Sequence, residues 1–235
     1  MKKLFFLALA FSSIADGYGQ AKEEYFKNGM IKDSLHDFKG AIVEYSKAIE
    51  IDPAYSRAYI NRGIDRDSLQ DYKAAMADYT RALGLDPRNA EIYKMRALSR
   101  TDLKDYEGAV FDCNWALAID TGYTGAYKAR GFAKYKLKDY LGAIGDFNKA
   151  IEIDPAYADA YKIRGYAKAN LQDYKGAIAD YSTAIEMKPG EADAYYNRGI
   201  IKIATGEKAA GCSDLAKAEE LGHVDAGKLI KKHCK

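Results

Sequence analysis

The feature that most constrains this chain is a period: from Lys22 onward, the same order of residue types returns every 34 positions. Six blocks follow one another, at residues 22–55, 56–89, 90–123, 124–157, 158–191 and 192–225. One column reads Tyr25, Tyr59, Tyr93, Tyr127, Tyr161, Tyr195, and four residues later another reads Gly29, Gly63, Ala97, Gly131, Gly165, Gly199. Ala41, Ala75, Ala109, Ala143, Ala177 and Gly211 recur further on, followed by Tyr45, Tyr79, Cys113, Phe147, Tyr181 and Leu215. Ala48, Ala82, Ala116, Ala150, Ala184 and Ala218 complete the frame, and Pro53, Pro87, Pro155 and Pro189 close four blocks. A unit this short cannot bury its own apolar face, so neighbouring blocks must share a core.

Within each block the apolar residues return at three and four, the spacing of one helix face, in two stretches. The stretches are separated by Leu35-His36-Asp37, Leu69-Gln70-Asp71, Leu137-Lys138-Asp139 and Leu171-Gln172-Asp173, whose aspartates suit the N-cap of a second helix. The frame places small residues where the two helices approach and aromatic residues in the gaps beside them. Composition agrees with a folded chain: 48% hydrophobic and 30% charged residues leave it neither disordered nor membrane-spanning. Lys+Arg 36 against Asp+Glu 34 gives a net charge of +2, which carries no signature of nucleic-acid binding.

Before the first block, Met1-Lys2-Lys3 is basic, Leu4 to Ala10 is apolar, and a polar stretch of small residues follows to Gln20. These are the parts of a secretory signal peptide over residues 1–20, with cleavage expected between Gly17 and Ala21. The apolar run is too short to span a bilayer, so the expectation is an exported, periplasmic or secreted, bacterial protein with no membrane insertion after cleavage.

The repeated frame of aromatic, Gly or Ala, Ala, aromatic, Ala and Pro resembles the tetratricopeptide repeat, over residues 22 to about 225. The resemblance implies an all-α, right-handed α-solenoid of six helix-turn-helix units, and residues 224–235 read as a C-terminal capping helix. Two blocks depart locally: Thr121-Gly122 stands where the third closing proline belongs, and Thr205-Gly206-Glu207-Lys208 replaces the sixth turn. The resemblance further implies a non-enzymatic scaffold that holds a protein or peptide segment in a groove lined by the first helices.

Two charged columns look like a site and read better as structure. Arg62, Arg96, Arg130, Arg164 and Arg198 recur in the first helix, and an acid follows each after sixteen residues: Asp78, Asp112, Asp146, Asp180, Asp214. The first block has Asn28 in the arginine place and keeps Glu44. Pairing within each block accounts for this correlation.

Positions free of the frame are the partner-binding candidates. Lys94, Lys128 and Lys162 fall in one column, and Phe132, Tyr135 and Tyr166 lie beside the last two. Lys128, Phe132 and Tyr135 share a helix face at i, i+4 and i+7, which suits aromatic contacts to an extended peptide and lysine contacts to a carboxylate. Glu91 and Asp159 precede Lys94 and Lys162 by three residues and neutralise them locally, whereas Lys128 faces Gly125 and is the least compensated. Asn61 and Asn197 match the asparagine by which some tetratricopeptide domains hold a peptide backbone. Phe26 and Met30 occupy the first-repeat lysine and asparagine places of the carboxylate-clamp set, which argues against chaperone-tail binding of that kind.

Cys212 lies ten residues before Gly222 and Cys234 twelve after it, so two helices hinged there bring both cysteines to one end. A Cys212–Cys234 disulfide is expected in an oxidising compartment. A metal site from Cys212, His223, His233 and Cys234 is the rival, at a spacing that fits no short metal motif. No cofactor is implied, and no Gly-rich phosphate loop, H-E-x-x-H or G-x-S-x-G occurs. A peptide-binding adaptor is the leading reading. Self-association into a homo-oligomeric envelope module is the alternative.

Overall fold

The computed structural model describes residues 19–234, so the signal peptide expected at 1–20 lies almost wholly outside the described residues. Thirteen helices and no strands occur among them. The chain forms two compact units, one through Asp120 and one from Thr121. The first holds α1 (residues 19–34), α2 (Phe38–Ile51), α3 (Ser56–Ser68), α4 (Tyr72–Leu85), α5 (Ala90–Asp102) and α6 (Tyr106–Ile119). The second holds α7 (Thr124–Lys136), α8 (Tyr140–Ile153), α9 (Ala158–Asn170), α10 (Tyr174–Met187), α11 (Ala192–Ala204), α12 (Lys208–Glu220) and α13 (Ala226–His233). From α2 on, each helix packs on its successor inside its unit, as consecutive helix pairs of a repeat array do. Among the described residues no helix is long and apolar enough to cross a membrane.

The turns show why the helices stop where they do. His36, Gln70, Lys104, Lys138 and Gln172 adopt φ of 60–64°, the left-handed conformation that ends a helix. The amide after each bonds back across the turn, as Asp71 N–H does to the Arg66 carbonyl at 2.8 Å and Asp173 N–H to Lys168 at 2.9 Å. A side chain in this conformation costs about 1–2 kcal/mol, and only the sixth turn avoids it, with Gly206. Asp37, Asp71, Asp105, Asp139 and Asp173 then cap the second helices, each accepting an amide three residues on. In the sixth block Glu207 makes no such bond. At the far end, extended backbone at Asp52, Asp86, Asp154 and Lys188 precedes each proline. Asp120 adopts the same conformation ahead of Thr121, so the missing proline does not alter the local path.

The two helices of a block meet at a glycine. A methyl group on Gly29, Gly63 or Gly165 would stand 2.5, 2.6 or 2.7 Å from the ring of Tyr45, Tyr79 or Tyr181, all buried. The third block reverses the sizes, with Ala97 in the glycine column and the smaller Cys113 in the aromatic one, both fully buried. In the sixth, Gly199 presses on the Gly211 backbone and on Leu215. The close approach therefore recurs where the second-helix residue is Tyr45, Tyr79, Tyr181 or Leu215.

A buried carboxylate ties the same helices together. Asp180 accepts Arg164 Nε at 2.9 Å and Nη2 at 2.6 Å, and Lys168 pairs with it at 2.8 Å. Asp78, Asp112, Asp146 and Asp214 each take the same arginine fork and a second cation one turn on: Arg66, Arg100, Lys134 and Lys202. Glu44 uses Lys32 and Lys47 instead. At Asp214 burial pushes the carboxyl pKa up, but the hydrogen bonds from Arg198 and Lys202 outweigh it and hold it below the usual range. The remaining arginine nitrogen reaches the preceding block, as Arg62 does to Ser46 at 2.9 Å, Arg164 to Asn148 at 2.7 Å and Arg198 to Ser182 at 2.9 Å.

Two stability measurements follow. Gly165→Ala should lose about 1–3 kcal/mol by overpacking against Tyr181. Gly145→Ala, in open space on α8, should gain about 0.5–1 kcal/mol through helix propensity. Urea denaturation reads both, and a neutral Gly165→Ala would remove the close-approach argument. Asp180→Ala should cost about 3–5 kcal/mol, since it strands two cations, and more than Arg164→Ala, which leaves Lys168 on the acid. Equal losses would show that the carboxylate is not the shared hub.

Candidate functional site

In the second unit, α7 and α9 present most of the candidate residues. Tyr135 and Tyr166 bring their rings within 6.3 Å, with Tyr140 5.9 Å behind the first and Tyr181 5.6 Å behind the second. Phe132, half-buried on the same turn as Tyr135, carries the Lys136 ammonium 5.1 Å above its ring. Burial, then the neighbouring Tyr140, raises the Tyr135 pKa, and burial raises that of Tyr166. Both hydroxyls therefore stay protonated and able to donate.

The lysines are embedded in ion pairs. Lys162 Nζ lies 2.9 Å from Glu191 and 3.5 Å from Asp159, and although burial pulls its pKa down, these carboxylates outweigh burial and raise it. Lys128 corrects the sequence reading, which left it the least compensated: its Nζ is 3.5 Å from Asp154 and 3.4 Å above the Tyr157 ring. Both partners come from the end of the same block, beyond α8, where inspection of helix neighbours alone does not look. Asn197 donates to the Asp193 carbonyl of its own helix at 2.7 Å.

In the first unit, Lys94 pairs with Glu91 at 2.6 Å. Asn61 lines a cavity of about 300 Å³ with Phe26, Met30, Arg57 and Ile60. Phe26, which occupies the first-repeat lysine place of the clamp set, is 2% exposed and packs on Tyr45 and Tyr55 under the Arg57 guanidinium.

A buried acid that the sequence reading missed lies in this unit. Asp65 on α3 is 1% exposed, and neither of its carboxylate oxygens has a hydrogen-bond partner. Burial, and then the charge of Asp33 on α1, push its pKa up to about 7. The signal was present: Asp65 interrupts a column otherwise filled by Ile31, Ser99, Ala133, Ala167 and Ile201. Asp67, one turn-half on, is satisfied by Tyr79 at 2.7 Å and Ser99 at 2.8 Å.

At the C-terminal end, Cys212 and Cys234 form a disulfide with Cα atoms 5.7 Å apart. Both sulfurs of the rival metal reading are thereby used, and His223 instead stacks on Tyr196 at 3.8 Å. Among the described residues no group of three or more His, Cys, Asp or Glu is placed to hold a metal ion. The capping helix spans Ala226–His233, within the expected 224–235, and Ala226 is its buried residue, with Leu229 and Ile230 half-buried.

Models of the tetratricopeptide repeat and of the TPR repeat match residues 60–122 and 165–206. These are tetratricopeptide repeats. The fold is similar to that of PilF from Pseudomonas aeruginosa, with TM-score 0.77 at 19% identity over 92% of this chain and 99% of that one. It is also similar to a tetratricopeptide repeat protein from Parabacteroides merdae, with TM-score 0.67 at 22% identity over 92% and 100%. YrrB, described as a TPR protein with an unusual peptide-binding site, matches with TM-score 0.67 at 25% identity over 80% and 97%. The comparison with curated proteins finds no match. Tetratricopeptide repeats are scaffolds for protein–protein interaction.

The acid in the tetratricopeptide frame gives a pH test with a definite sign. Asp65 has a folded-state pKa above its unfolded value, so its contribution is fully present below about pH 4 and is lost as pH rises through 7. The melting temperature of Asp65→Asn relative to the native chain should therefore increase from pH 5 to pH 8. A constant difference would mean that Asp65 is ionised throughout.

Proposed function

We propose that this protein is an exported adaptor that holds a peptide or protein segment against the first helices of its repeats. The carrying observation is the cluster of Phe132, Tyr135 and Tyr166: half-buried rings on two consecutive first helices, at positions the packing frame does not dictate. Aromatic side chains give large contact area at low entropic cost, and protonated tyrosine hydroxyls add hydrogen bonds to a peptide backbone. Lys128, held over Tyr157, adds a positioned charge beside them. The peptide-binding site described for YrrB supports the class of partner. Export is supported by the basic, apolar and small-residue order of residues 1–20 and by a disulfide, which oxidising compartments maintain.

The test is a pull-down from an envelope extract with residues 21–235, beside a Lys128→Gln/Tyr135→Ser variant whose helical circular dichroism is unchanged. A protein retained by the native chain and lost by the variant is the expected result. Equal retention by both chains would move the binding surface away from α7.

A further inference from the structure

The terminal repeat carries a second, separate recess. Tyr196, Ile200, Ile203 and Ala204 on α11 form one wall, Leu229 and His233 on α13 form the other, and the space between them is about 340 Å³. That volume lies in the range of small-ligand pockets and is lined mostly by apolar side chains. Tyr196 is fixed by its stack on His223, and α13 is fastened at its end by the Cys212–Cys234 disulfide, so both walls are held in place.

Charge selects the occupant. Leu229 and His233 stand one turn apart on the face of α13 that lines the recess. Helical geometry puts Lys232 and Lys228 along one edge of that face and Ala226 and Ile230 along the other. Ala226 is buried, so its edge faces α12 and the lysine edge faces solvent, where Lys228 and Lys232 are exposed. Lys228 pairs with Asp225 at 2.9 Å, whereas no carboxylate among the described residues pairs with Lys232.

We infer that this recess between α11 and α13 takes a bulky apolar side chain from an acidic peptide segment, with Lys232 meeting a carboxylate that flanks it and Lys228, shared with Asp225, extending the basic edge. The inference rests on the peptide-binding reading above and adds a subsite with a stated preference. An apolar anchor in a small pocket supplies affinity, and a charged rim supplies orientation and selectivity.

The test uses fluorescence anisotropy with short labelled peptides: a phenylalanine flanked by glutamates, the same peptide with serine for phenylalanine, and the same peptide with lysines for glutamates. The native chain should bind the first at least about tenfold more tightly than the other two. Lys228→Glu/Lys232→Glu, a change confined to exposed side chains, should weaken that peptide about tenfold, as should Leu229→Asp. Lys39→Glu/Lys73→Glu, the same charge reversal on exposed side chains of α2 and α4, should bind it as the native chain does. Equal affinity for all three peptides, no binding of the first, or no effect of the lysine reversal would overturn the recess. Loss only in the Lys128→Gln/Tyr135→Ser variant would overturn it while leaving the α7–α9 reading intact.

Discussion

The helix pairs depend on how closely two backbones can approach. A glycine on the first helix lies under an aromatic ring on the second, at a distance that leaves no room for a methyl group at Gly29, Gly63 or Gly165. That approach brings the arginine of the first helix within reach of the acid beside the ring, so packing and ion pairing are satisfied by one geometry. The third block shows that space is the constraint, not residue type. There Ala97 stands in the glycine column and Cys113 in the aromatic one, and both are fully buried.

Buried ion pairs often add little net stability, because desolvation offsets attraction. Here the acid serves another purpose. From Asp78 on, each carboxylate meets a forked guanidinium and a second cation, and Arg62, Arg96, Arg164 and Arg198 extend to a hydroxyl or amide of the block before. One residue thus sets the register within a block and between blocks of a unit. Because these positions fix the frame, the remaining first-helix positions are released to vary, and the aromatic cluster and terminal recess occupy them.

The frame was legible because each of its columns has a physical requirement that admits few residue types. The turns were legible through their capping aspartates, though nothing in His36, Gln70 or Lys138 announces a left-handed backbone, which glycine would have signalled. The functional surface was less legible, since its side chains find partners outside their own helix. Lys128 is compensated by Asp154 and Tyr157, and Phe26 is buried by Tyr55; both partners arrive from the end of the block. Asp65 was visible as the one charge in a column of otherwise uncharged residues, but its meaning depends on Asp33 of α1. The terminal recess needs α13 in place, and an eight-residue helix has no sequence signal for which neighbour it will lie against.

The disulfide changes how the end of the array behaves in time. A last helix has a neighbour on one side only, and one of 8 residues has little helical persistence of its own. The five residues between Glu220 and Ala226 tether it at one end only, so that its far end could swing away from the seat; tied at Cys234 to Cys212, it is held at both ends, and the loop that must reclose is shorter. Excursions of the terminal helix are therefore brief, and the redox state of its surroundings sets how long they last.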